Sequence, residues 1–162
     1  MKHLNWLAVV GALVVAACGD DPVDVTGSYT VALTNRENGC NFQNWAVGDT
    51  TQGVGVDITQ SADQASASVQ GVAGGFLDLW LGGHVFSGTV DGNDVRLTIV
   101  GTRAGSMGAC AFTYDAEIAG TLTGDALQGN LRYKAKTNGA PDCGALTGCE
   151  SRQEFSGARP PR

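Results

Sequence analysis

The chain is short of charge: only 16% of its 162 residues are Asp, Glu, Lys or Arg, about two-thirds of the usual share. Disordered chains are richer in charge and poorer in β-branched residues, so disorder is excluded for the body of the sequence. Basic side chains are fewer than acidic ones, 10 against 16. That balance argues against a nucleic-acid partner, because phosphate binding needs a clustered Lys/Arg surface. Histidine is scarce too, with only His3 near the N-terminus and His84 in the rest of the chain. One histidine and no C-x2-C pair leave a zinc site or a Ser-His-Asp triad short of ligands and bases. The nucleophile motif G-x-S-x-G is missing, since Arg103-Ala104-Gly105-Ser106-Met107-Gly108 fails at its first glycine. No glycine-rich phosphate loop opens a helix, because the glycines fall between strand patterns. Asp115 and Glu117 share a strand face, which reads as a solvated outer surface rather than an acid/base pair. The reading is therefore non-enzymatic, with no cofactor and no metal.

Glycine is abundant, with 24 residues, about twice the usual share. Such a density excludes long helices, and 162 residues suffice for one buried core. The expectation is a single β domain. Its charge is uneven. Without residues 1–17 the net charge is −7, and six basic residues gather after position 130 (Arg132, Lys134, Lys136, Arg152, Arg159, Arg162). They read as a solvated basic edge balancing an acidic body.

Long hydrophobic runs are absent except at the N-terminus. There Met1-Lys2-His3 precedes the almost wholly apolar Leu4 to Val15, which is too short to span a hydrocarbon core of roughly 30 Å but suits a cleaved signal peptide. Val15-Ala16-Ala17-Cys18 follows and resembles the lipobox of bacterial lipoproteins. The resemblance implies a signal peptide over 1–17, cleavage before Cys18, and lipid on Cys18 as thioether-linked diacylglycerol plus an acylated amino terminus. Three acyl chains exceed what stable anchoring needs. Gly19, where inner-membrane retention in enteric lipoproteins uses Asp, favours the outer membrane. Residues 18–26 then form an acidic tether, 27–157 the domain and 158–162 a C-terminal tail.

Assigning Cys18 to lipid leaves an even number of cysteines, Cys40, Cys110, Cys143 and Cys149, in an oxidising compartment, so two disulfides are expected. Alternation of period 2, punctuated by turn residues, yields eight strands. The inward sets are Tyr29, Val31, Leu33; Val54, Val56, Ile58; Ala65, Ala67, Val69; a fourth strand over His84 to Val90; Val95, Leu97, Ile99; Phe112, Tyr114, Ala116, Ile118; Leu127, Leu131, Tyr133; and Ser151, Gln153, Phe155. A partial repeat, Gly88-Thr89-Val90-Asp91-Gly92-Asn93-Asp94-Val95 and Gly120-Thr121-Leu122-Thr123-Gly124-Asp125-Ala126-Leu127, marks two hairpins. The acidic turn Asp91-Gly92-Asn93-Asp94 lacks the spacing of a calcium loop.

Eight strands in a meander close into an antiparallel up-and-down barrel, with a two-sheet sandwich as the alternative. The pattern is similar to lipocalin-like and avidin-like barrels, although the lipocalin G-x-W position holds Gly27-Ser28-Tyr29. A meander sorts its connections by end. Tight turns at Ser61–Gln64, Asp91–Asp94 and Thr123–Ala126 fall at one end. The longer connections at 35–52, 71–83, 103–109 and 137–148 fall at the other, with Trp45, Trp80, His84 and all four remaining cysteines. The eighth strand should close on the first, which favours Cys40 with Cys149, and Cys110 opens the sixth strand beside the end of the seventh, which leads to Cys143; this pairing is favoured over the rival Cys143–Cys149 and Cys40–Cys110. Ligand sites prefer barrel mouths. The expected ligand-binding residues are Trp45, Trp80, His84, Tyr29, Phe112 and Tyr133. Two readings stand: a membrane-anchored envelope lipoprotein whose barrel binds a small apolar ligand, or a filled barrel acting as a structural or inhibitor-like partner of an envelope protein.

Overall fold

A computed structural model describes residues 21–161. Cys18 and the signal segment lie outside the described residues. The elements are β1 (Gly27–Asn38), β2 (Thr50–Ser61), β3 (Gln64–Val69), α1 (Gly71–Trp80), β4 (Val85–Asp91), β5 (Asp94–Ile99), β6 (Gly105–Met107), β7 (Cys110–Thr123), β8 (Ala126–Thr137) and β9 (Glu150–Ala158). A short 3-10 segment, Pro141–Leu146, precedes β9. Neighbours run β5-β4-β3-β2-β1-β9-β8-β7, and β5 also pairs with β7. Eight antiparallel strands thus form a closed up-and-down barrel, as the meander requires, and β6 is an extra strand paired to β7. The sandwich alternative is excluded by the β5–β7 closure.

Alternation sets the register. Val31 lies opposite Val54, Leu33 opposite Phe155, Ala67 opposite Phe86 and Ile118 opposite both Leu97 and Leu131, so the apolar set of each strand meets its neighbours' on the inner wall. Gly120 lies opposite Gly129, which lies opposite Phe155. A Cβ on Gly120 would come within 2.8 Å of the Phe155 ring, and one on Gly129 would collide with the backbone of Ala119 and Gly120. Gly120 thus makes the room that the Phe155 ring takes, and Gly129 lets the two strands approach closely.

The tight-turn end is closed. Gly92 and Gly124 take the positive φ that their two-residue turns demand. The residues before β1 then fold over this end: the Val23 N–H donates to the Gly92 carbonyl at 2.9 Å, Val25 is fully buried, and the Tyr29 hydroxyl donates to the Val25 carbonyl at 2.9 Å. From the other terminus, Arg159 bonds Asp125 at 3.0 Å and donates to the carbonyls of Asp24 and Thr26, with its guanidinium 5.8 Å from the Tyr29 ring centre. Val25 thus packs in the core, β9 runs to Ala158, and Arg159 is held against the closed end.

The opposite end carries the long connections, and its two disulfides are Cys40–Cys149 and Cys110–Cys143. Two elements there escape the sequence reading. The segment expected as a loop over 71–83 contains α1, despite Gly71, Gly74 and Gly75. Its helical form comes from packing: Leu77 and Leu81 are buried, Gly74 presses so closely on the Val69 carbonyl that no Cβ would fit, and Gly82 at φ 90° ends the helix by donating to Leu77 and Asp78. The other is β6, three residues within the expected 103–109 loop. The fourth strand begins at Val85, one residue after His84.

Candidate functional site

The barrel is hollow. A cavity of about 870 Å³ enters between α1 and the segment ahead of β2 and runs down the interior, within the size range of small-molecule sites. Its deep wall is apolar, formed among others by Ile58, Phe86, Val95, Leu97, Leu127 and Phe155. Its rim is mixed. Gln43, Asn44, Gln52 and Gln70 bring amides, whereas exposed Val72 and Phe76 bring apolar surface from α1.

One side of the mouth is walled by stacked aromatics. Phe42 lies 5.0 Å from Trp80, 5.1 Å from Tyr114, 5.6 Å from Trp45 and 6.1 Å from Tyr133. Trp80 lies 5.0 Å from Tyr133, and Trp45 lies 6.0 Å from it, edge to face. Such tilted and edge contacts suit the ring quadrupoles. The loop that delivers Phe42 and Trp45 is held by side chains. Asn38 accepts from the Phe42 N–H at 2.7 Å and donates to the Phe42 carbonyl at 3.0 Å. Ser151, fully buried, accepts from the Cys40 N–H at 3.0 Å and donates to Asn38, beside the Cys40–Cys149 bridge.

A polar string crosses the inner wall between rim and depth. Tyr133 donates to Gln153 at 3.1 Å, and Gln153 donates to Asn35 at 2.8 Å; all three line the cavity. Burial pushes the Tyr133 phenol far above its ordinary pKa, and the Tyr114 phenol is also raised by burial. The indole nitrogen of Trp45 is buried and finds no hydrogen-bond partner among the described residues. No Asp, Glu, Lys, Arg or His among the described residues lines this cavity.

Of the six residues expected from sequence, Trp45, Trp80 and Tyr133 line the cavity. Tyr29 faces inward but seals the closed end, because alternation sets the face of a strand residue and not its depth. Phe112 sits above the cavity, its ring over Gly105 of β6 and 5.7 Å from Tyr114. His84 turns away to pair with Asp78 at 2.8 Å. Phe42 escaped notice, although its place two residues past Cys40 in the loop that carries Trp45 was the available signal.

Outside the barrel, the basic edge is neutralised by ion pairs, most of them between neighbouring strands. Arg36 bonds Glu154 at 2.7 Å, Arg152 reaches Glu37 at 3.0 Å and Glu154 at 3.2 Å, Lys134 meets Glu117 at 2.7 Å, and Lys136 lies 3.9 Å from Asp115. Asp115 and Glu117 thus belong to an ion-paired outer face. Glu154 is held below the usual carboxylate range, first by its hydrogen bond from Arg36. Compared with known protein families, curated proteins and solved structures, the chain matches none.

Proposed function

We propose that the protein is a binding module: a bacterial envelope lipoprotein, tethered through lipid on Cys18, whose barrel takes a small apolar ligand through its mouth. The cavity carries this reading. A solid barrel would fill its interior with side chains, whereas here about 870 Å³ stay open above a wall of aliphatic and aromatic groups. The surroundings of Cys18 support export and lipidation through the sequence alone.

Trp45 and Trp80 are the two tryptophans outside the signal segment, and both border the cavity. A panel of small apolar compounds should therefore contain members that quench or shift tryptophan emission, and Trp80→Ala should abolish most of the response. A panel without any response would sink this reading. The second reading, docking of an envelope protein, draws on one observation. Val72, Phe76 and Leu79 of α1 are 93%, 60% and 78% exposed, an apolar helix face without cover among the described residues.

A further inference from the structure

We infer that the cavity is built for an uncharged amphiphile, an alkyl or acyl chain with one neutral polar end such as an ester, which stays at the level of Asn35, Tyr133 and Gln153. The inference rests on the proposed binding function and narrows its ligand class. Two observations carry it.

The first is the absence of charge from the lining: among the described residues no Lys, Arg or His faces the cavity to neutralise an anion, and no Asp or Glu faces it to neutralise a cation. The nearest cations in sequence, Arg36 and Arg152, sit beside Asn35 and Gln153 but point to the outer face, where Glu37 and Glu154 engage them. An ionised head group drawn inside would lose its hydration with nothing to replace it.

The second is the gradient along the cavity. The depths, from Val54 and Ile58 to Val95 and Leu127, are aliphatic. Polar groups appear only at the level of Asn35, Tyr133 and Gln153 and at the amide rim. A chain with one polar end matches that gradient, the chain going down and the polar end staying high.

The test is displacement of the neutral dye Nile Red from the purified protein at about pH 7.5, with methyl laurate, laurate and dodecane as competitors that share a chain and differ in the head. Methyl laurate should bind at least about tenfold more tightly than laurate, since only the latter takes an uncompensated charge inside. Methyl laurate should also bind about five- to tenfold more tightly than dodecane, the worth of one neutral hydrogen bond at the level of Asn35, Tyr133 and Gln153. Binding of none of the three would overturn the binding function itself. Laurate equal to or tighter than the ester would overturn the neutral-ligand inference and leave an apolar site standing. Dodecane as tight as the ester would overturn the polar end of the inferred ligand. All three competitors are compared on the unaltered protein, so no variant has to fold for the test to decide.

Discussion

Tyr133 shows how one side chain ties stability to the site. It is 6% exposed, contacts both mouth tryptophans, and donates to Gln153. Its ionised form is disfavoured by burial, so its folded pKa lies above the unfolded value of about 10. Because the folded state resists losing this proton, the associated stability is intact below about pH 10 and is lost as pH rises beyond it toward the folded value. We expect Tyr133→Phe to cost about 1 kcal/mol at neutral pH through the lost hydrogen bond and to make the alkaline fall shallower, as read by urea midpoints between about pH 8 and 11. An alkaline slope unchanged by the substitution would contradict this account. At this scale the sequence was legible where chemistry and position coincide. Trp45, Trp80 and Tyr133 lie in or just below the long-loop end and border the cavity. Tyr29 and Phe112 have the correct parity but the wrong height, and a two-residue period carries no information about height.

Among the elements, strands and disulfides were legible because each rests on a short-range rule. Period-2 alternation names the inner face, glycine turns name the hairpins, closure of the last strand on the first places Cys149 against Cys40, and pairing of β7 with β8 brings Cys143 near Cys110. The helix α1 was not legible, because three glycines in ten residues work against it and its stability comes from contacts with β2 and β3 that no local pattern encodes. The three residues of β6 are likewise too few to show a period. The two bridges should differ in worth. Cys40–Cys149 spans 109 residues and Cys110–Cys143 spans 33. By loop-closure entropy the first contributes roughly 4–5 kcal/mol and the second roughly 3–4 kcal/mol. Denaturation of the Cys40→Ser/Cys149→Ser and Cys110→Ser/Cys143→Ser proteins should rank them in that order. The first pair should also weaken probe binding, since its bridge holds the loop that delivers Phe42 and Trp45, and a reversed ranking would count against the entropic account.

As a whole the molecule has two unlike poles. The tight-turn pole carries Asp63, Asp91, Asp94 and Asp125 around the packed Val25. At the mouth pole lie all seven large apolar side chains that are exposed among the described residues: Val47, Val72, Phe76, Leu79, Val85, Val100 and Met107. That separation was half legible, since loop lengths sort the ends but exposure needs the fold. Lipidation at Cys18 predicts that Cys18→Ala is released from membranes on fractionation, and unchanged fractionation would remove the anchor from the account. The same anchor makes a prediction about geometry. The chain enters at the acidic pole, where Val23 bonds Gly92, and the five steps from Cys18 to Val23 reach at most about 18 Å. In vesicles carrying the lipidated protein, brominated acyl chains should leave Trp80 emission unquenched; strong quenching would mean that the mouth lies down on the bilayer.

The hydrogen bond from Val23 to Gly92 therefore has a consequence for traffic. By fastening the entering chain to the closed pole, it would stand a lipidated barrel upright on its base, with the opening turned toward the aqueous space. Cargo would then arrive from across the compartment rather than from the leaflet underfoot.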